Sequence, residues 1–509
     1  MLKVKSALKN NPWIFNLGFL LLGVFLFFFL DFEKIFFSGP FGIHYMRQTD
    51  SLSFASNYFN HGFQFFKPQL YNLKNIDGRA ACEFPITYYL TALTYTIFGK
   101  QFYLQRIIHL LIAYSGAYGL FKLAKNIIHD YWYALIIGLT LFTSTVFNYY
   151  AFNYLPDIPA LGFAFLGWGF LFHHHTNKKM NGLRISFLFF TLSSLIKITY
   201  LINPLAILAY AMIQCILKPK DPLFPNHKKI IFLGSITLLV VLAWNAYMFY
   251  YISIYNSNSF NTSALPIWIL SREKIRIVWD HLSEYWYNKY FTRSVFYLFY
   301  LSVVFQFIFY KKNHPRISLL ILILFTGALS YFILFFAQFK DHDYYFLAFF
   351  PLLFLLLING IRTYQEVVSN RYIQWGTKIF LTILVLGSIN SSKSKLNQRY
   401  IKELDLYSHA GLVIEKHLTA IRHLQIEPEA QIIVAPEYCP NGGLLFMDRQ
   451  GWNLKPDELT IENITFLKSK GADYLFLASE DSTVLSVGDS SGTKILSVKG
   501  LSIYQLHEH

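Results

Sequence analysis

Between Gly39 and Pro85 the chain sets Arg47, Gln48, Asp50, Asp77, Arg79 and Glu83 in one polar loop flanked by apolar segments. A carboxylate can take a proton from a hydroxyl and a guanidinium can hold an anion, so the set is equipped for proton transfer beside a stabilised negative charge. That many convergent polar groups directly after a first apolar run point to a reaction site rather than a connector. Three shorter patches share the character. Asp157 lies in Asn153-Tyr-Leu-Pro-Asp-Ile-Pro, where it caps the following helix, serves a site, or does both. Lys197 stands in Ser193-Ser-Leu-Ile-Lys-Ile-Thr-Tyr, where an amine either snorkels to an interface or meets a lipid phosphate. Gln338-Phe-Lys-Asp-His-Asp-Tyr-Tyr is either a solvated turn or offers His342, Asp343 and Tyr344 to a sugar, a phosphate or Asp50.

The elements that must position these groups are membrane helices. Of 509 residues 54% are hydrophobic, 19% aromatic and only 14% charged, against about 25% charged in a soluble domain. The net charge of +15 does not mark a nucleic-acid partner, because the basic residues fall between apolar runs and form no single stripe. Runs of about 15 to 20 apolar residues, enough to cross a bilayer at about 1.5 Å per residue, start at Pro12 and near Tyr103, Tyr131, Ile158, Ile185, Asn203, Ile230, Ser294, Ile317, Phe346 and Lys378. The expectation is a polytopic α-helical membrane protein of about eleven spans. The first run, 12–30, exceeds a signal-peptide core and lacks a small-residue cleavage pattern, so it is expected to be retained.

With the N-terminus and its Lys3, Lys5 and Lys9 in the cytoplasm, every second connection is basic. These connections hold Lys122 and Lys125; Lys178, Lys179 and Arg184; Lys218, Lys220, Lys228 and Lys229; Lys311, Lys312 and Arg316; and Arg362 and Arg371. The positive-inside rule then places the loop 31–102 and everything after about Ser391 together on the outer face of a cell (inner) membrane. The chain divides into a transmembrane domain, 1–391, and a small extracytoplasmic α/β domain, 392–509, of about 110 residues. The latter shows apolar runs at Gln431–Ala435, Tyr474–Ala478 and Thr493–Tyr504 after a linking helix, Asp405–Leu424.

Within the loop, Ser51–Phe66 is expected to lie along the membrane surface, with Asp50 near the interface, and Glu83 to open a second juxtamembrane helix ending at Phe98-Gly. Cys82 and Cys439 share the outer face, so a disulfide is topologically open, with two free thiols the plainer expectation. No cysteine has metal-ligand spacing and His173-His-His reads as a solvated loop. No cofactor is indicated, and a divalent metal ion is left open.

Arg47-Gln-Thr-Asp50, Gly62-Phe, Pro68, Glu83-Phe-Pro-Ile-Thr-Tyr-Tyr-Leu, Phe98-Gly, Arg106, Pro156-Asp157, Lys197 and His342-Asp-Tyr-Tyr, in that order, resemble integral-membrane glycosyltransferases of the C-type fold. The resemblance spans roughly 12–391 and is nearest to the bacterial branch related to protein O-mannosyltransferases and the lipid A aminoarabinose transferase. The family's first outer loop commonly carries an Asp-Glu pair, where this chain has Asp50-Ser51.

The resemblance implies transfer of a sugar, with inversion, from a polyprenyl-phosphate donor to a glycan, lipid or protein acceptor. It gives Asp50 the role of base and Arg47 that of its orienting partner. Arg79, Arg106 and Lys197 stand for the departing phosphate, Glu83 either binds sugar or acceptor hydroxyls or caps the helix that follows, and Asp157, His342, Asp343 and Tyr344 are further candidates for substrate binding. Trp268, Trp279 and Trp286 of the loop 251–293 either stack on sugars or anchor at the interface. Two other classes stay open: a transporter or flippase of lipid-linked or small anionic solutes, which would place charge near the midplane, and a non-catalytic scaffold in which Asp50 is dispensable.

Overall fold

A backbone in hydrocarbon finds no water to bond, so long apolar runs close their own hydrogen bonds as helices. The computed structural model describes residues 12–177, 180–220, 222–260, 264–401 and 406–506, leaving Lys3, Lys5, Lys9, Lys178, Lys179 and Asp405 outside the described residues. After α1 (Pro12–Phe29) come two loop helices, α2 (Tyr45–Asn60) and α3 (Ile86–Phe98). The bundle continues with α4 (Tyr103–Ile128), α5 (Tyr131–Thr140), α6 (Thr145–Ala151), α7 (Asp157–Asn177), α8 (Met180–Ile196), α9 (Ile202–Leu217) and α10 (His227–Ile254). A second loop carries α11 (Arg272–Asp280) and α12 (Tyr287–Tyr290), and α13 (Arg293–Ile308), α14 (Pro315–Leu334), α15 (Phe350–Val367) and α16 (Arg371–Arg399) complete the bundle.

Among the described residues six helices are long and apolar enough to cross a membrane, or up to eight if each of two bent pairs counts as one span, and Leu17–Phe29 and Met180–Ile196 are shorter apolar helices. The count of about eleven therefore exceeds what length and composition support here. The bend of 79° between the α5 segment and α6 turns Tyr149 and Tyr150 toward the polar end of the bundle.

Helices α4 and α7 form its tightest contact. A Cβ on Gly116 would sit 2.4 Å from Gly162 Cα, and one on Gly169 would sit 2.6 Å from the Gly119 carbonyl oxygen. Glycine at these positions lets the two backbones touch, the usual device for joining helices where lipid offers no hydrophobic drive.

The region after α16 is α/β, as its composition indicates. It contains α17 (His409–Arg422), β1 (Gln431–Ala435), α18 (Gly442–Met447), β2 (Gly451–Asn453), α19 (Ile461–Ser469), β3 (Ala472–Leu477), α20 (Ser482–Asp489), β4 (Thr493–Val498) and β5 (Leu501–Gln505). The sheet order is β2-β1-β3-β5-β4, with β2, β1 and β3 parallel and β5 antiparallel to both β3 and β4. The run Thr493–Tyr504 is thus a hairpin turned at Gly500, and α16 extends eight residues beyond the boundary drawn at 391.

One face of this sheet shares its core with the first loop. Tyr45, Leu52 and Tyr71 pack with Ile414, Ile432, Val434, Leu445 and Phe476 in one buried cluster. The loop also extends the sheet edge: Leu73 N–H donates to the Gly451 carbonyl at 2.7 Å, and Gly451 N–H to the Tyr71 carbonyl at 3.0 Å. The small domain is therefore built onto the loop.

Candidate functional site

Helix α2 differs from its expected place on the membrane surface. It begins at Tyr45, takes in Arg47 and Asp50, and is buried along most of its length, with Asp50 only 4% exposed. Its hydroxyl-rich face meets the small domain, where Thr49 Oγ1 lies 3.2 Å from Cys439 Sγ. All three cysteines are free, so Cys82 and Cys439 form no bridge.

Arg47 stands between two carboxylates. Its Nη2 donates to Glu83 at 2.9 and 3.2 Å, and its Nη1 lies 3.6 Å from Asp50 Oδ2. Nη1 is buried and has no hydrogen-bond partner among the described residues, leaving a spare donor beside the Asp50 carboxylate. Asp50 Oδ1 accepts from Asn441 Nδ2 at 2.9 Å, a contact between positions 391 apart. Asn441 is held in turn, its Oδ1 accepting from Asn72 N–H at 3.1 Å.

These surroundings pull the two carboxyls apart. Burial raises Asp50 to about 6, outweighing the Arg47 charge and the Asn441 hydrogen bond. Burial acts on Glu83 the same way, but the charges of Arg47 and Lys197 with hydrogen bonds from Cys82 and Tyr88 bring it down to about 2. Glu83 thus stays ionised as an anchor for Arg47. It does not cap α3, whose N-cap is Pro85.

Lys197 occupies the break between α8 and the next helical turn, its Nζ 3.5 Å from Asp157 Oδ2 at the start of α7 and 5.6 Å from the centre of the Tyr344 ring. Tyr344 OH and His342 Nδ1 are 3.1 Å apart. Burial first, then the neighbouring His44, Lys197 and Arg47, lowers the His342 imidazole to about 3, so it is neutral. Arg47, Asp50, Glu83, Asp157, Lys197, His342 and Tyr344 therefore form one polar cluster at one end of the bundle.

Three expected site residues have other partners. Asp343 is fully buried between Arg399 Nη1 at 2.8 Å, Tyr150 OH at 2.6 Å and His44 Nε2 at 3.3 Å, so it ties α16 to the turn 342–345 and leaves no edge for substrate. Arg106 donates to the carbonyls of Ile35, Ser38 and Gly39 at 2.5, 2.8 and 3.0 Å, which engages its guanidinium with backbone in place of phosphate. Arg79 faces Tyr251 OH at 3.5 Å and lines a separate groove against the small domain.

Among the described residues no three His, Cys, Asp or Glu side chains are grouped to hold a metal ion. The His173 triplet belongs to α7, with His174 Nε2 3.2 Å from Asn226 Nδ2. Trp286 is buried, its Nε1 donating to the Lys340 carbonyl at 2.8 Å, while Trp268 and Trp279 are exposed.

Directly after the turn carrying His342 and Tyr344, an apolar cavity of about 650 Å³ opens among Tyr290, Phe299, Phe332, Phe339, Phe346 and Phe349. Phe339 and Phe346 of its lining flank that turn on either side, whereas none of the polar-cluster residues lines the cavity.

A helical membrane bundle that carries a small α/β domain on its first loop is the architecture of the C-type glycosyltransferase fold, and the chain shares that fold with solved structures. Residues 83–247 match the family described as dolichyl-phosphate-mannose-protein mannosyltransferase. ArnT from Cupriavidus metallidurans in the apo state superposes with a TM-score of 0.60 at 12% identity, covering 96% of this chain and 98% of that one. The same protein bound to undecaprenyl phosphate gives 0.56 at 12% identity over 97% and 98%. The Archaeoglobus fulgidus oligosaccharyltransferase complexed with Zn and sulfate gives 0.52 at 10% identity, covering 92% of this chain and 70% of that one. No curated protein matches the sequence.

Proposed function

We propose that the protein is an inverting glycosyltransferase that moves a sugar from a polyprenyl-phosphate donor to an acceptor hydroxyl on the outer face of the membrane. The observation that carries this is the Asp50 carboxylate: buried, fixed by Asn441 and Arg47, and raised to about 6. It is a stronger base than an ordinary carboxylate and still mostly ionised at neutral pH.

The acceptor hydroxyl gives its proton to Asp50 as its oxygen attacks the anomeric carbon from the face opposite the phosphate. The bond from that carbon to the phosphate oxygen breaks, and the electron pair leaves with the lipid phosphate. Lys197 holds the charge that develops there, with Tyr344 and His342 as neutral hydrogen-bonding neighbours. The spare Arg47 Nη1 orients the acceptor oxygen toward Asp50. The lipid chain occupies the aromatic cavity beyond Phe339 and Phe346. The fold match to ArnT supports this reading.

The test uses purified protein in nanodiscs, a panel of radiolabelled polyprenyl-phosphate sugars and cell-envelope acceptors. Wild type transfers label, while Asp50→Asn still binds donor and loses at least about a hundredfold in rate, the range over which a general base acts. Undiminished transfer by Asp50→Asn would remove Asp50 from the chemistry.

A further inference from the structure

The first loop and the small domain enclose a groove of about 960 Å³ apart from the carboxylate cluster. Its walls mix amide, charged and apolar side chains, with Lys74, Asp77, Glu458 and Lys470 among the charged ones. Gln69 and Arg79 come from the loop, and Gln431, Gln450 and Asn463 come from the small domain. One exposed aromatic ring stands on it, Phe466 on α19 with 58% of its surface exposed, while Trp452 on β2 is mostly buried. Gln431 Oε1 is buried at the groove with no hydrogen-bond partner among the described residues. Amides and charged groups that donate and accept hydrogen bonds, beside an exposed aromatic face, match the alternating hydroxyls and apolar ring faces of a sugar chain.

The groove also has a structural link to the proposed base. In the segment 69–75, Gln69 and Leu73 face the groove, whereas Asn72 N–H reaches Asn441, the side chain that bonds Asp50. A chain lying in the groove therefore runs along the segment that fixes the Asp50 setting.

Taking the transferase reading as given and naming its acceptor, we infer that this groove binds a hydrophilic, polyhydroxylated glycan. The probe is a set of size-fractionated oligosaccharides released by mild acid from the envelope of the producing cell. Binding to the full chain in nanodiscs is followed by saturation-transfer NMR. Wild type and Asp50→Asn bind the oligosaccharides. Gln450→Trp, which fills the groove, weakens binding at least tenfold, and so does Phe466→Ser on the exposed rim, where folding is not at stake. The inference is overturned if wild type binds no oligosaccharide, if both groove variants bind as wild type does, or if envelope peptides or lipids alone compete for the groove. The catalytic reading fails separately, through transfer by Asp50→Asn, whatever the groove binds.

Discussion

At the scale of single residues, the proposed base Asp50, raised to about 6, has a kinetic signature. In the proposed reaction the ionised carboxylate is the active form, so kcat/KM should fall as pH drops through about 6 and be flat above it until other groups titrate. Asn441 stabilises the ionised form, and its removal should push the Asp50 carboxyl upward. Asn441→Ala is therefore expected to move the acid limb to higher pH and to lower kcat/KM about tenfold at pH 7, the worth of one hydrogen bond to a charged group. A pH-rate series on the two proteins checks both statements. Arg47, Asp50, Glu83, Asp157 and Lys197 were legible in the sequence because charge beside long apolar runs demands a reason. Asn441 was not. It is an uncharged residue in a Pro-Asn-Gly-Gly turn, and nothing local signals a partner 391 positions away.

At the scale of elements, the helices were legible and their surroundings less so. The α2 sequence has the mixed polar and apolar composition of an interfacial helix, yet its polar face is covered by protein. Composition cannot separate a face turned to water from one turned to a hydroxyl-rich interface, and this is why the helix was expected at the membrane surface. The two-residue gap between β4 and β5 and the three-residue β2 were too short to resolve from periodicity. The α4–α7 contact gives a test of packing. Gly116→Ala forces a methyl to within 2.4 Å of the facing Gly162 Cα, so the helices must part. A drop of several degrees in the melting temperature of the detergent-solubilised protein is expected, and Gly18→Ala, where nothing lies within 4 Å, should leave it unchanged.

At the scale of the whole molecule, membrane bundle and small domain act as one unit. Their shared core is reinforced at its edge, where Asp448 receives hydrogen bonds from Tyr71, Lys100 and Asn60. Glu437 lies within this union, buried beside Cys439 and accepting from Gly443 N–H at 2.8 Å. Burial raises its carboxyl to about 8 despite that bond. Folding thus favours the neutral acid: stability is greatest below about 4.5, its ordinary range, and declines as pH rises to about 8. Glu437→Gln keeps an acceptor for Gly443 and removes the titration. It should melt several degrees above wild type at pH 8 and converge with it near pH 4.5, measured by thermal scans at both values.

The strand pairing of Tyr71 and Leu73 with Gly451 also has a consequence in the order of synthesis. Residues near 50 leave the ribosome hundreds of positions before those near 441 and 451. The first loop must therefore wait, as a half-made template, for the last fifth of the chain to arrive and complete it. A nascent or truncated chain has the helices and the acid but not the amide that sets the acid in place, so the Asp50 setting exists only once the small domain has been made.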